Sequence, residues 1–594
     1  MRSQKVVRPA PKTSTNTWRV NLLLFFVFAL SGLIIYRLFN LTFVDHESFV
    51  ATAKSQYASP TAALAGRGSI YLTDASTTTG PVKKIAAANR SATFIYSNNK
   101  QLTKSPAEIV SILAPILGEE TRPFLLDKLS DPTKSYQILS SNLTKSQAVK
   151  IQALKIKGVA VSSQIDRFYT LGATASQVLG FVGYDGRERV GQYGIEAFYD
   201  SELSGKKMTQ KLFGNRTYSH IWDMLAFWKK DEPPATVATS VHNGGDIILS
   251  IDRDIQEMVE AKLETVIKKW SATGGIIIVQ DPKSGEILAL ASSPSYDPNK
   301  YYDYKLGDFI NPSHQVIYEP GSSFKPITMA GAIEYGAVSP DTKYTDSGQV
   351  QIGGYTIRNF DEKAYGVQTM RKVLEKSLNT GAIFAQQKMG DDPFLNNVVA
   401  FGFGQKTGID LAWEVGGNIS NLYSGRKINF ATASFGQGIA VTPIQLLNAY
   451  SAIANGGKLM WPHVARQIVK SDGSIENIVP KIINSPITEK TAKLMQSMLV
   501  DVVDKGFDKA RINGYHVAGK TGTAQIPDSS GGYLDNDRFI HNFVGFAPAY
   551  DARFTILIKI DKPKGIKFAA DSLSPVFGDV AGYLIRYFNI PPTR

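Results

Sequence analysis

Ser322-Ser323-Phe324-Lys325 places a hydroxyl and an amine three residues apart, between Gly321 and Pro326 and ahead of the apolar run Ile327–Ile333. Proline is tolerated in a first helical turn, where N–H groups lack intrahelical partners. The spacing therefore predicts a helix start with Ser322 and Lys325 on one face. A serine needs a base to become a nucleophile, and a desolvated lysine one turn away can serve. S-x-x-K also occurs at Ser97, Ser204 and Ser424, but only Ser322 combines it with a flanking Gly and Pro.

Two further motifs carry complementary groups. Ser377-Leu378-Asn379 lies between a basic helix ending at Lys376 and a second helix starting near Gly381. A serine hydroxyl can relay a proton, and an Asn amide can hold a substrate amide through donor and acceptor together. Taken alone the pattern reads as a helix cap, since Ser97-Asn98-Asn99 and Ser140-Ser141-Asn142 match it as well. In Gly519-Lys520-Thr521-Gly522-Thr523, small residues allow close backbone approach, while the lysine and threonines suit an anionic group. Lys406-Thr407-Gly408 repeats the tripeptide after a glycine-rich turn that points to a structural role. Gly514–Thr521 also fits the phosphate-loop pattern G-x4-G-K-T, but Gly522 and Pro527 oppose the helix such a loop must open. The seven histidines show no ligand spacing, so no metal and no cofactor are expected.

These groups must be positioned by the rest of a 594-residue chain, long enough for several domains. At 43% hydrophobic and 20% charged residues it is an ordinary globular composition, which excludes global disorder. The absence of cysteine excludes disulfide frameworks, thiol catalysis and Cys-ligated metals. The net charge of +13 leaves nucleic acid, an anionic membrane or an anionic wall as partners. Five of those charges (Arg2, Lys5, Arg8, Lys12, Arg19) precede an uncharged apolar run from Val20 to Tyr36. About 17 residues at a rise of about 1.5 Å cover roughly 26 Å, enough to cross a hydrocarbon core. No small-x-small cleavage site follows, so residues 1–19 read as a cytoplasmic tail and 20–41 as an uncleaved anchor with the remainder outside, where the rest of the positive charge faces an anionic wall and nucleic acid drops out as a partner.

Residues 42–240 are polar, with modest helices expected at Ala107–Leu113 and Ser146–Leu154, a strand starting within Arg67–Tyr71, and a linker at Lys229–Pro234. Residues 241–594 open on a strand, Asp246–Ile251, and an amphipathic helix after Asp252. A strand–turn–strand unit follows over 276–291, and strands Phe543–Ala547 and Phe554–Ile560 precede a closing helix, Val576–Phe588. Strands at both ends with helices between predict an α+β domain around one antiparallel sheet.

The order S-x-x-K, S-x-N, K-T-G matches the signature set of serine penicillin-recognising enzymes. The chain resembles the class B penicillin-binding proteins, including at Asp281–Ala289, Pro294–Asn299, Ser434–Gly438, Thr442–Leu446 and Ala454–Gly457. Arg67-Gly68-x-Ile70 and Gly194-Ile195-Glu196 are similar to that family's pedestal motifs. The resemblance implies an α/β pedestal and a β-lactamase-like transpeptidase domain with a five-stranded antiparallel sheet flanked by helices. It implies peptidoglycan D,D-transpeptidation, with Ser322 as nucleophile, Lys325 as base, Ser377 as proton shuttle and Asn379 on the donor-peptide amide. Lys520, Thr521, Gly522 and Thr523 would bind the terminal carboxylate, and the N–H groups of Ser322 and Thr523 would form the oxyanion hole. Stem peptides and β-lactams are the implied ligands; a polytopic lipid II polymerase and division proteins are the implied partners. Ser574-Pro575-Val576-Phe577 and Asn589-Ile590-Pro591-Pro592 are similar to the septal branch. An elongation-type enzyme, a β-lactamase-like hydrolase and a non-catalytic penicillin sensor or scaffold are the alternatives. Two departures stand out: Thr170 follows Arg167-Phe168-Tyr169 where the family has Pro, and Leu72–Ser76 replaces Asp-Arg-x-Gly.

Overall fold

The structure is a computed structural model, described here for residues 17–39, 42, 66–74, 82–141, 143–186, 188–208, 240–506, 508–526 and 539–594. The chain divides into two units, Met1–Leu64 and Ala65–Arg594. In the first, Thr17–Phe39 is a single helix of 23 residues whose side chains from Trp18 onward are exposed. It is long and apolar enough to cross a membrane. It starts three residues before the expected anchor; residues 40 and 41 and the linker 229–234 lie outside the described residues.

The two largest sheets of the second unit, among the described residues, have five and seven strands. Five antiparallel strands among the described residues follow the order Ile287–Ser293, Gly274–Gln280, Phe554–Asp561, Phe539–Ala547, Ala518–Gln525. Successive side chains of a strand face opposite ways, and this sheet is apolar on both sides. Ile277, Val279, Phe543, Ile556 and Ile558 pack with Val259 and Leu263 of the helix Arg253–Trp270 and Phe577 and Leu584 of the helix Ala569–Tyr587. Ile276, Ile278, Val544 and Leu557 face the opposite core, with Leu446 and Tyr450 of the helix Pro443–Ala454. Asp252 caps the helix Arg253–Trp270 by accepting from Asp254 N and Ile255 N, both at 3.1 Å.

The expected strand at Asp246 forms as Asp246–Asp252 but joins the other sheet. It lies parallel to Ile70–Asp74, with Ile70 opposite Ile247, and antiparallel to Ala465–Val469. Segments from 66–74 and 246–252 are thus knit into one sheet with a strand that follows the K-T-G-like turn at 406 by some sixty residues of chain. The closing helix begins seven residues before its expected start, because Pro575 sits inside it rather than at its first turn. Ser105 caps Pro106–Leu117 in a capping box with Glu108, and Thr144 with Gln147 does the same for Lys145–Ala153.

The pedestal motifs meet in a buried ion network. Glu196, 0% exposed, receives Arg67 Nε at 2.6 Å, Arg167 Nε at 2.7 Å and the Tyr169 hydroxyl at 3.1 Å. Arg67 Nη1 also reaches Asp200 Oδ1 at 2.7 Å, and Arg167 Nη1 donates to Gly68 O at 2.7 Å. Thr170 turns its departure from the family into contacts: its N–H donates to Ala86 O at 2.9 Å, which a proline could not do, and its hydroxyl donates to Ile85 O.

Candidate active site

Ser322 lies in a tight turn, Gly321–Phe324, that leads directly into the helix Lys325–Glu334. The helix proper therefore starts at Lys325 rather than at Ser322. Gly321 has φ +61° and Gly436 φ +82°, and a Cβ on Gly436 would stand 2.2 Å from Gly321 O. This close approach lets Gly321 N donate to Gly436 O at 3.0 Å, while Gly438 N donates to Glu319 Oε1 at 2.9 Å. The turn is held from other sides as well. Asn542 Nδ2 donates to Pro320 O at 3.0 Å, the Tyr450 hydroxyl to Ser323 O at 2.7 Å and Thr328 Oγ1 to Ser434 O at 2.7 Å. Ser434–Gly438 is thus a brace for the serine turn. The sequence shows it as a motif; Asn542 and Tyr450 leave no signal there.

Lys325 is 1% exposed, and its Nζ stands 3.1 Å from Ser322 Oγ and 3.2 Å from Ser377 Oγ, while donating to Ser377 O. Burial, and after it the Lys520 ammonium, push its pKa well below that of an ordinary lysine. Ser377 follows the helix Met370–Lys376 in a left-handed conformation, φ +59°. That conformation is disfavoured for a side-chain-bearing residue, and it turns both the carbonyl and the hydroxyl of Ser377 toward Lys325. Asn379 is the first residue of the helix Asn379–Met389, and its Nδ2 donates to Arg358 O at 2.8 Å.

Lys520, Thr521, Gly522 and Thr523 lie on Ala518–Gln525, the last strand of the five-stranded sheet. A strand, not a phosphate loop with its helix, occupies 518–525. Lys520 is fully buried and donates to Thr521 O at 3.1 Å; burial lowers its pKa to about 7. A Cβ on Gly522 would stand 2.5 Å from Pro320 O, and one on Gly321 would stand 3.1 Å from Thr523 O. Only small residues let the strand and the serine turn approach this closely. Thr523 Oγ1 accepts from Ala569 N at 3.1 Å, which ties the strand to the start of the last helix.

The structure thus brings together Ser322, Lys325, Ser377, Asn379 and the 520–523 strand from three distant segments. The look-alike motifs go elsewhere. Ser97 Oγ donates to Asn99 Oδ1 at 2.6 Å, Ser204 Oγ accepts from Arg67 Nη1 at 3.0 Å and Ser424 Oγ donates to Asn421 O at 2.6 Å. Thr407 Oγ1 donates to Glu414 Oε1 at 2.6 Å, closing a local turn. Among the described residues no group of three or more His, Asp or Glu could hold a metal.

Comparison with known proteins matches the same segments. Residues 275–581 match the penicillin binding protein transpeptidase domain and residues 62–220 the penicillin-binding protein dimerisation domain. The chain is 32% identical over 524 residues to stage V sporulation protein D of Bacillus subtilis, covering 86% of this chain and 77% of that protein. It is 29% identical over 475 residues to peptidoglycan D,D-transpeptidase FtsI of Escherichia coli, covering 79% and 76%. The crystal structure of penicillin binding protein 3 from Mycobacterium tuberculosis in its apo form superimposes with a TM-score of 0.62 at 30% identity. That alignment covers 73% of this chain and 92% of the other.

Proposed function

The chain belongs to the class B penicillin-binding proteins and is a serine-type peptidoglycan D,D-transpeptidase, and on that premise we propose that it cross-links septal wall through an acyl-enzyme on Ser322. The observation that carries the assignment of residues is the buried Lys325 amine, 3.1 Å from Ser322 Oγ and 3.2 Å from Ser377 Oγ.

In this reading neutral Lys325 accepts the Ser322 proton as Oγ attacks the penultimate D-Ala carbonyl of a stem peptide. The N–H groups of Ser322 and Thr523 receive the oxyanion. The C–N bond to terminal D-Ala breaks, and its amine takes a proton relayed from Lys325 through Ser377. An amine of a second stem then attacks the acyl-enzyme, its proton passing through Lys325 to Ser322 Oγ as the ester C–O bond breaks, which forms the cross-link and releases Ser322. Asn379 keeps its Oδ1 and one N–H for the donor-peptide amide, the other N–H being held by Arg358 O. Lys520, with the Thr521 and Thr523 hydroxyls and the side-chain-free Gly522, grips the terminal carboxylate. β-Lactams acylate the same serine. A pentapeptide ending in D-Ala-D-Ala, incubated with an acceptor amine, tests the activity: free D-Ala and the new amide should appear together with the intact chain and not with Ser322→Ala. D-Ala release without any amide would favour hydrolysis.

The helix Thr17–Phe39 anchors the chain in the cytoplasmic membrane with the catalytic unit outside. The septal assignment is supported by the Ser574–Phe577 and Asn589–Pro592 runs and by the likeness to FtsI. The pedestal and the anchor are the parts offered to a polytopic lipid II polymerase and to division proteins. A fluorescently tagged chain should collect at the division plane; even labelling of the side wall would instead favour the elongation role.

The two lysines set the pH dependence. Lys325 must be neutral, so acylation rises with pH as it loses its proton, earlier than for an ordinary lysine. Lys520 must be charged, so acylation of the free enzyme falls as pH rises through about 7. A bell-shaped second-order rate constant for fluorescent penicillin labelling is expected, with its alkaline limb near pH 7. Lys520→Arg, at a lower absolute rate, should move the alkaline limb upward because a guanidinium does not deprotonate. An alkaline limb unmoved by this substitution would remove Lys520 from the assignment.

A further inference from the structure

Asn379 opens its helix, yet the residue in the N-cap position is Leu378, which has no side-chain acceptor. The first N–H groups of a helix have no intrahelical partner. Asn359, from twenty residues upstream, supplies one: its Oδ1 accepts from Asn379 N at 3.0 Å and from Thr380 N at 3.3 Å. Its Nδ2 donates to the two oxygens of Asp346 at 3.1 and 3.0 Å. Asp346, 1% exposed, also accepts from Thr380 Oγ1 at 2.7 Å, Tyr365 N at 2.9 Å and Gly348 N at 3.0 Å. The neighbouring carbonyl, Arg358 O, holds Asn379 Nδ2.

Every bond in this set has a fixed direction. Asp346 meets only donors, so it must be an acceptor; residue 359 must donate toward Asp346 and accept from the helix, which an amide does. The arrangement holds Asn379 and Thr380, two and three residues beyond Ser377, whose left-handed conformation persists only where its surroundings enforce it.

We propose that Asp346 and Asn359 are positioning residues for transpeptidation: a remote helix cap that fixes the Ser377–Asn379 loop against Lys325 and the donor peptide. The proposal rests on the site assignment given above. Misplacing a binding group by about an ångström costs on the order of a hundredfold in rate.

The test is fluorescent-penicillin labelling of the full chain, with non-covalent affinity and acylation rate separated and melting temperature measured in parallel. Asn359→Asp sets two carboxylates face to face, and Asp346→Asn sets an amide N–H2 against donors. Each should lower the second-order labelling constant about 10- to 100-fold. The exchange Asp346→Asn with Asn359→Asp restores a donor–acceptor pair between the two side chains, but leaves the residue-346 amide nitrogen facing Tyr365 N and a residue-359 carboxylate oxygen facing Lys363 O. It should therefore recover part of the labelling, above either single variant and below the original chain. Single variants that label at the original rate would overturn the clamp. So would an exchange that recovers the melting temperature but not the labelling. Ser322→Ala separates the two levels of argument: label that survives there overturns the site assignment itself, whereas label lost there but unchanged in the clamp variants overturns the clamp alone.

Discussion

Lys325→Met is expected to fold and to acylate with β-lactams about 10²- to 10⁴-fold more slowly than the original chain, the usual contribution of a positioned general base. The side chain it replaces is 1% exposed, and burial together with Lys520 already disfavours its charged form. Methionine has similar length and no desolvation cost, so the pocket stays filled. What disappears is the lone pair facing Ser322 Oγ and the donors to Ser377. Because Ser322, the 520–523 strand and the oxyanion donors remain, residual acylation is expected rather than none. Stopped-flow labelling decides the matter: a constant within tenfold of the original would mean that another group takes the serine proton. Unchanged thermal unfolding would show that the loss is chemical.

Glu196→Gln is the largest expected loss of stability, about 3–5 kcal/mol, because it leaves the buried Arg167 guanidinium without a counter-charge and Arg67 with Asp200 alone. Arg67 and Arg167 side chains are 11% and 2% exposed and Glu196 is 0% exposed, so solvent does little to screen them. Burial raises the Glu196 pKa, but Arg167 and then Arg67 outweigh it and hold the carboxyl below its ordinary value. The sign follows from the depressed folded pKa. The ion network contributes fully above the unfolded-state pKa and is lost as pH falls through the folded one. Urea unfolding should therefore show the original chain losing stability in acid while Glu196→Gln, already lower, changes less there. A difference at neutral pH under about 1 kcal/mol, the size of a surface pair, would contradict the network's buried role.

How far the sequence reveals this site varies residue by residue. Ser322 and Lys325 are legible because Gly321 and Pro326 bracket a helix start, and helical spacing is local information. Ser377 is legible as a turn residue but not as a left-handed one, since Lys325 and the loop beyond it impose that conformation. Asn359 and Asp346 are invisible in the sequence: a cap normally sits next to its helix, and this one comes from twenty residues away. Gly436 reads as part of a motif, whereas its contact with Gly321 exists only once both loops are folded. Asp246–Asp252 shows why strands are easier to find than sheets. Its apolar run declares a strand, but its partners at 70–74 and 465–469 are set by tertiary packing. The closing helix was displaced by Pro575, which suggests a first turn locally and in fact lies within a helix held by Phe577, Leu584 and the sheet beneath.

The central claim is that Ser322 becomes acylated. Incubation of the full-length chain with a β-lactam, followed by proteolysis and mass spectrometry, tests it most directly. The account predicts one adduct of the intact antibiotic's mass, on the peptide containing Ser322, and none in Ser322→Ala. An adduct on a different residue, or a Ser322→Ala chain that still carries the label, would contradict it.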